Sequence, residues 1–171
     1  PPTTYLLNGQ QRDLYKPAQE NLGQGCWLHF FPPQTIPFEP QEIMDVYTEM
    51  QAQTKVVKHM FGKKYLEPRK VKVWGLTDDN YSGSTYKADE NYPKLVKKIL
   101  NWVRLKYPEY SWERILCNLY EDGSDKVAWH QDDEKTILPG SPIVSISVGP
   151  GLRTFLVSTN KTTGKAVLKL P

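Results

Sequence analysis

The part of the sequence that decides the fold is residues 115–134, which read ILCNLYEDGSDKVAWHQDDE. Residues 115–120 have the alternation of a β-strand, in which Asn118 and Tyr120 point to the same face. The glycine and acidic residues at 121–125 predict a turn after this strand. The two polar side chains are therefore expected to face a common cavity.

The second half of this stretch contains a candidate metal-binding pair. In an extended segment, side chains two residues apart point to the same side, so His130 and Asp132 bring an imidazole and a carboxylate to one point. One nitrogen and one oxygen ligand, completed by a distal histidine, form the facial triad that holds non-haem Fe(II) and leaves positions open for a co-substrate and dioxygen. A histidine two residues before an aspartate is common by chance, so this prediction depends on the residues around the pair.

Short β-type runs follow the pair and indicate an antiparallel architecture. They are separated by turn residues, and the spacings leave no room for crossover helices. We therefore expect an antiparallel sheet, a sandwich or a jelly roll. The predicted strands are Pro142–Val148, Arg153–Val157 and Ala166–Leu170.

The N-terminal part of the chain predicts two helices and an irregular arm. Apolar residues recur at helical spacing from Pro40 to near Thr54, and again in a helix that starts at Pro93. Residues 1–40 are rich in Pro, Gly and Gln without a sustained period, so we expect an irregular arm that ends in a short strand at Cys26–Phe31. Helices that pack against an antiparallel sheet make an α+β fold.

The composition describes one domain without membrane or secretory features. The 171 residues carry a formal net charge of +3, with 39% apolar and 24% charged residues, which is ordinary for a globular domain. No run approaches the roughly 18 apolar residues of a membrane span, and the polar N-terminus lacks the apolar stretch of a signal peptide. Cys26 and Cys117 lack metal-binding spacing, so we expect two free core thiols and a reducing, intracellular location in the nucleus or cytoplasm.

Charged residues form two clusters of opposite sign. Residues 55–72 hold seven basic residues against Glu67 alone, and residues 121–134 hold six acids against Lys126 alone. The acids surround His130 and suggest a cation site, whereas the basic segment predicts contacts with phosphate groups. An alternative that stays open is that each cluster is a solvated surface.

The order of these motifs resembles the AlkB family of Fe(II)- and 2-oxoglutarate-dependent dioxygenases. The motifs are, in order, the strand with Asn118 and Tyr120 (NxY), the turn at Gly123, residues 130–134 (HxDDE) and the strands after them. The resemblance covers roughly residues 61–171. Upstream it includes three short elements, Phe61-Gly62-Lys63, Pro68-Arg69-Lys70 and Tyr81-Ser82-Gly83. The resemblance implies a double-stranded β-helix, or jelly roll, with N-terminal helices and a nucleotide-recognition lid.

The resemblance implies a cofactor role for the residues of the two central motifs. His130 and Asp132 would bind Fe(II), and Asn118 and Tyr120 would contact 2-oxoglutarate. Dioxygen would complete the set of co-substrates.

The resemblance also implies which residues bind the substrate. Tyr81 would sandwich a flipped base together with His130, and Glu134 would contact the base edge. Asp133 is expected to be a surface acid or to support a ligand. Further substrate-binding residues proposed for the lid and the basic segment are Trp74, Phe61, Lys63 and Arg69.

Within one domain, the resemblance implies three parts. We expect an N-terminal arm and supporting helix at residues 1–60, the nucleotide-recognition lid at 61–92, and a helix with part of the jelly-roll core at 93–171. The family places a distal iron histidine and two arginines in strands after the position of Leu170-Pro171. We therefore expect the chain to hold the larger part of such a domain, with a jelly roll that is incomplete at its C-terminal end.

The activity implied by the resemblance is oxidative demethylation of N-alkylated bases, such as 1-methyladenine and 3-methylcytosine, in DNA or RNA. A base in a duplex cannot reach such a pocket, so the enzyme needs a flipped base or a single strand. Two other interpretations stay open. One is a hydroxylase with the same chemistry that acts on a protein or a small molecule, and the other is a catalytically incomplete jelly-roll module that binds nucleic acid. We expect a monomer.

Overall fold

The computed structural model describes residues 2–81, 83–151, 153–158 and 166–169, the last range by its backbone. Ser82 of the predicted lid motif and the Leu170-Pro171 end of the predicted last strand lie outside the described residues. In chain order the elements are β1 (Thr4–Leu7), β2 (Gln10–Asp13), β3 (Ala18–Gly23), β4 (Cys26–Phe30), α1 (Pro40–Gln51), β5 (Val57–Met60), β6 (Lys63–Leu66), β7 (Lys70–Gly75), β8 (Asp79–Tyr81), β9 (Ser84–Tyr86), β10 (Ala88–Asp89), α2 (Lys94–Lys106), β11 (Arg114–Leu119), β12 (Thr154–Val157) and β13 (Ala166–Lys169).

The described chain divides into two compact units, each with its own core. The first unit comprises the described residues up to Pro37 and from Val148 onward. Its main sheet has the order β12-β13-β1-β2 with every pair antiparallel, and β3 and β4 form a separate hairpin. Its core is built around Tyr5, whose ring centroid lies 4.3 Å from that of Phe30.

The second unit, Phe38–Ser147, contains α1, α2 and all the predicted site residues. Its central sheet has the order β10-β7-β11, in which β11 runs antiparallel and β10 parallel to β7. Because side chains alternate along a strand, Trp74 packs on the two helices while Val71 and Val73 pack against Tyr86 on the opposite face of β7. The hairpins β5–β6 and β8–β9 belong to the same unit.

Both predicted helices are present. α1 begins at Pro40, where a proline fits because the first turn has no partner for its missing N–H. A capping box between Glu39 and Glu42 satisfies further N–H groups of that turn. α1 ends at Gln51, a few residues before the predicted end, and α2 follows Pro93 as predicted. Within the described residues, neither helix is long and apolar enough to cross a membrane.

The N-terminal forty residues are not an irregular arm, so that prediction is wrong. They contain β1 to β4, which pair as two hairpins, and the strand predicted at Cys26–Phe31 is β4. Asn8 and Gly9 form the turn of the first hairpin with φ values of 51° and 78°. Positive φ at both positions is what a two-residue type I′ turn requires, and the Asn-Gly pair is its strongest sequence signal.

The strand predicted at Pro142–Val148 is also wrong, because residues 142–148 are not part of any strand. A strand needs a partner for its backbone N–H and C=O groups, and no described segment pairs with these residues. The other strands predicted after α2 are confirmed with small changes at their ends. They are Arg114–Leu119, Thr154–Val157 and Ala166–Lys169.

Two side chains lie in surroundings other than those predicted. Trp74 is 0% exposed and packs in the core of the second unit with Met50 and Leu100, so the prediction that it binds substrate is wrong. Cys26 is exposed rather than buried. Burial raises the pKa of the Cys117 thiol to about 11, so this thiol stays protonated at neutral pH.

Candidate metal and substrate site

His130 and Asp132 lie at the centre of the candidate site. They belong to a segment that forms neither a helix nor a strand, and His130 Nε2 lies 3.3 Å from Asp132 Oδ1. Their side chains are 32% and 40% exposed, so an ion or a small molecule can reach them. The structure therefore brings the two predicted ligands together, as expected for side chains two residues apart in an extended segment.

A hydrogen bond to the second ring nitrogen indicates the tautomer of His130. His130 Nδ1 lies 2.8 Å from the carbonyl oxygen of Ala128. A carbonyl can only accept, so Nδ1 carries a proton, and this tautomer presents the lone pair of Nε2 to a metal ion. A backbone carbonyl bonded to the second ring nitrogen is a common support for a metal-binding histidine.

The distance between the two ligand atoms fits a shared cation. A lone pair on His130 Nε2 and a carboxylate oxygen of Asp132 repel each other at 3.3 Å unless a proton or a metal ion lies between them. Two ligands at right angles and about 2.1 Å from one ion would be about 3 Å apart. The described residues supply no third ligand, since they contain no group of three His, Cys, Asp or Glu side chains that could hold a metal ion. The pair therefore fits two positions of a facial triad.

Asn118 has a defined orientation because Arg69 holds its side chain. Arg69 Nε donates to Asn118 Oδ1 at 2.8 Å. A guanidinium can only donate, so the amide oxygen faces Arg69 and the NH2 group is left to donate elsewhere, for example to a carboxylate. Tyr120 lies two residues further along, just after β11, and is half-buried.

A buried ion network surrounds the ring of Tyr81. Glu67 accepts from Lys58 at 2.8 Å through Oε2 and from Arg69 at 2.9 Å through Oε1. Lys58 Nζ lies 4.8 Å and Arg69 Cζ 5.7 Å from the centroid of the Tyr81 ring. Cations over an aromatic face attract it, so this network holds the ring in place.

Lys58 and Glu67 belong to the site although no sequence motif marked them. Glu67 is the single acid within the basic segment and directly precedes Pro68-Arg69. An isolated acid among cations signals a buried ion pair, and both Glu67 and Arg69 are buried, at 6% and 5% exposed.

Tyr81 and His130 are neighbours, as the resemblance implies. Their ring centroids lie 5.8 Å apart, and the ring planes meet at 77°. A base between two parallel rings needs them roughly 7 Å apart, which is two contact distances of about 3.5 Å. The edge-to-face arrangement therefore has to change before a base can lie between the rings.

Glu134 lies in a turn two residues after Asp132. Its carbonyl oxygen accepts from the Ile137 N–H at 2.8 Å, and its side chain is half-buried. Among the described residues, no hydrogen bond or ion pair involves its carboxylate, so this acceptor remains available to a ligand. Asp133 is exposed.

Phe61 and Lys63 lie at the tip of the β5–β6 hairpin. Phe61 is 95% exposed and adopts a φ of 51°, which is uncommon for an aromatic residue. Lys63 and Lys64 beside it are exposed, and neither forms an ion pair within the described part of the chain. An exposed aromatic ring next to cations is typical of surfaces that bind nucleic acids.

Much of the predicted basic segment is neutralised by acids of the protein. Lys55 pairs with Asp125 at 2.6 Å, and Lys70 pairs with Glu121 at 2.9 Å. The bond from Lys55 lowers the pKa of the Asp125 carboxyl, and the bond from Lys70 lowers that of Glu121. The basic and acidic clusters therefore form ion pairs with each other. Direct contact of Arg69 with a ligand stays a prediction, since its partners in this structure are protein groups.

Several known proteins have sequences similar to this chain. The model of the 2OG-Fe(II) oxygenase superfamily matches residues 26–170. The human DNA oxidative demethylase ALKBH2 is 30% identical over 97% of this chain and 72% of its own length. The mouse DNA oxidative demethylase ALKBH2 is 29% identical over 92% of this chain, which spans 66% of the mouse protein, slightly less than two thirds. Human alpha-ketoglutarate-dependent dioxygenase alkB homolog 3 is 30% identical over 53% of this chain and 31% of its own length.

Proposed function

The chain belongs to the 2OG-Fe(II) oxygenase superfamily and, within it, to the AlkB family, and on this premise we propose that it oxidatively demethylates N-alkylated bases in DNA or RNA. The relatives named DNA oxidative demethylase and alpha-ketoglutarate-dependent dioxygenase support this activity. The superfamily has a jelly-roll fold, which supports the predicted core. The lid at 61–92, the choice of 1-methyladenine and 3-methylcytosine, the monomeric state and the intracellular location belong to the proposal.

The observation that supports the proposal is that the predicted metal-binding pair lies beside an aromatic ring. His130 Nε2 and Asp132 Oδ1 lie 3.3 Å apart, and the Tyr81 ring lies 5.8 Å from the imidazole. A metal ion at the pair would lie next to a base held against Tyr81. Oxidation of an N-methyl carbon requires that proximity.

His130 and Asp132 would hold Fe(II) in the proposed enzyme. Bound iron, together with 2-oxoglutarate and O2, supplies the oxidation that releases the methyl group as formaldehyde. The Ala128 carbonyl keeps the proton on His130 Nδ1, so that Nε2 stays available as a ligand.

Asn118 and Tyr120 would bind 2-oxoglutarate. Arg69 orients the Asn118 amide so that its two N–H donors are free to meet a carboxylate. Tyr120 contributes a phenol from the same face of the chain.

Tyr81 and Glu134 would bind the base. Tyr81 stacks on the base face once its ring has turned away from the edge-to-face contact with His130. The Glu134 carboxylate accepts from an exocyclic amino group and favours the positive charge that methylation at N1 of adenine or N3 of cytosine places on the ring.

The β5–β6 hairpin would contact the nucleic acid around the flipped base. Lys63 and Lys64 can bind phosphate groups because they lack acidic partners among the described residues. Phe61 can stack on a neighbouring base.

The test of this proposal is turnover by the unaltered protein and by His130→Ala. Without the imidazole the variant should bind iron weakly, which a direct titration measures. It should therefore form no succinate and release no formaldehyde from an oligonucleotide that contains 1-methyladenine. His29→Ala is the matched control, since His29 is exposed on β4 in the first unit. Normal turnover by His130→Ala would overturn the iron assignment. If methylated oligonucleotides do not accelerate the turnover of 2-oxoglutarate, a hydroxylase that acts on a protein or a small molecule is favoured instead.

A further inference from the structure

Arg114 occupies the first position of β11, directly opposite Gly75 at the end of β7. A Cβ atom at position 75 would lie 2.5 Å from Arg114 Cβ and 2.5 Å from the Glu113 carbonyl oxygen. Only glycine therefore allows the two strands to approach this closely. The close approach brings Arg114 to the segment through which the chain enters the β8–β9 hairpin.

The guanidinium of Arg114 joins two elements through one nitrogen atom. Its Nη2 lies 2.9 Å from Asp79 Oδ1 and 2.7 Å from Thr136 Oγ1. Its Nη1 makes longer contacts of 3.4 Å to Thr77 Oγ1 and 3.5 Å to the Asp78 carbonyl oxygen. The side chains of Arg114 and Asp79 are 16% and 8% exposed, so water weakens this ion pair little.

Both partners of Nη2, Asp79 and Thr136, lie two residues from a member of the proposed base site. Asp79 and Tyr81 point to the same face of β8, because side chains two residues apart in a strand share a face. Thr136 belongs to the turn that begins at Glu134, in which the Ile137 N–H bonds to the Glu134 carbonyl oxygen at 2.8 Å. Holding Asp79 and Thr136 at one nitrogen therefore constrains the distance between Tyr81 and Glu134.

We propose that Arg114 is a positioning residue that sets the spacing between Tyr81 and Glu134 for a methylated base. The inference rests on the proposed function, because that function assigns Tyr81 and Glu134 to the base. Arginine suits this role since its planar guanidinium fixes the directions of both N–H bonds on Nη2, whereas a lysine ammonium rotates freely.

Hydrogen exchange of the ligand-free protein tests the connection without catalysis. Arg114→Lys should speed amide exchange about three- to tenfold, the size of one hydrogen bond, in residues 79–86 and also in residues 134–138. The β5–β6 hairpin should exchange at its original rate. Faster exchange in only one of the two segments would overturn the proposal, because the guanidinium would then not join them.

Binding of oligonucleotides tests the consequence for the base. Thr136→Val keeps the ion pair with Asp79 and should weaken binding of an oligonucleotide with 3-methylcytosine about three- to tenfold, with no change for the unmethylated sequence. Thr48→Val is the matched control, since it removes a threonine bond to the Met44 carbonyl within α1. Fluorescence anisotropy gives both affinities.

A double-mutant cycle separates positioning from a general loss of structure. If Thr136 acts through Glu134, adding Thr136→Val to Glu134→Gln should cause no further loss of affinity. If the double variant loses affinity by the product of the two single-variant factors, the substitutions act independently and the proposal is overturned. An unaltered protein without any preference for methylated oligonucleotides would count against the proposed function, and the exchange experiment would still decide the role of Arg114.

Discussion

Individual side chains of the site owe their orientation to a neighbouring group rather than to their own position in the chain. The Ala128 carbonyl decides which nitrogen of His130 donates to it, and Arg69 decides which end of the Asn118 amide is left to meet a ligand. The Ala128 carbonyl oxygen can only accept a hydrogen bond, and the Arg69 nitrogen can only donate one. The chemistry of the site therefore depends on protein groups that orient the predicted ligand-binding side chains.

Arg69→Lys should lower the affinity for 2-oxoglutarate about three- to tenfold, because the bond that orients Asn118 is lost while the charge beside Glu67 is kept. Calorimetric titration with Mn²⁺ in place of iron measures this affinity without turnover. Arg104→Lys serves as the control, since Arg104 bonds the Trp112 carbonyl near the end of α2. An unchanged affinity together with a lower free energy of unfolding would limit Arg69 to a role in the fold.

At the scale of elements, α1 and α2 are joined by one buried carboxylate. Glu42 Oε2 accepts from Lys98 at 2.8 Å and from the Glu39 N–H at 2.9 Å, and Lys94 Nζ forms an ion pair with Oε1 at 3.1 Å. The bond from Lys98 is the main cause that lowers the pKa of Glu42 to about 2. A carboxyl with a lowered pKa stabilises the fold in its ionised form.

This link predicts a pH dependence of the free energy of unfolding. The contribution of Glu42 is fully present above its ordinary pKa of 4.5 and is lost as the pH falls toward about 2. Urea denaturation of the unaltered protein and of Glu42→Gln should therefore show a difference that shrinks over this range. Glu109→Gln, at an exposed position, is the control variant. A constant difference for Glu42→Gln would contradict the prediction.

For the molecule as a whole, the arrangement of charges matters more than the net charge of +3. Of the seven basic residues in 55–72, five are ion-paired with acids, whereas Lys63 and Lys64 have no such pair among the described residues. Cations that already pair with a carboxylate gain little from a phosphate group. The hairpin tip is therefore the part of this segment that can contribute to nucleic-acid binding.

Charge reversal at Lys63 and Lys64 together should weaken oligonucleotide binding and flatten its dependence on salt. Each lost phosphate contact on duplex DNA should reduce the slope of log K against log salt by about 0.9. The same change in net charge at Lys97 and Lys106 of α2 is the control, and binding is measured over a series of salt concentrations. Equal losses in both variants would mean that only net charge matters and that the hairpin is not a contact surface.

Features that depend on residues close together in the chain could be predicted from the sequence alone. Proline marked the start of both helices, and the period of residues 115–120 marked the strand that carries Asn118. The two-residue spacing of His130 and Asp132 was enough to predict that their side chains meet, because the geometry of successive peptide units governs which way side chains point. The Asn-Gly turn at residues 8–9 was equally local, and its hairpin signal was present in the sequence.

Contacts between residues far apart in the chain depend on the tertiary structure and could not be predicted from the sequence. The packing of β7 against the helices buried Trp74, and the pairing of β7 with β11 brought Arg69 to Asn118 and Gly75 to Arg114. Residues 142–148 have the composition of a strand, yet a strand exists only where a second backbone supplies its hydrogen bonds. Periodicity in a sequence shows which side chains share a face, whereas the partner of that face depends on how distant segments pack together.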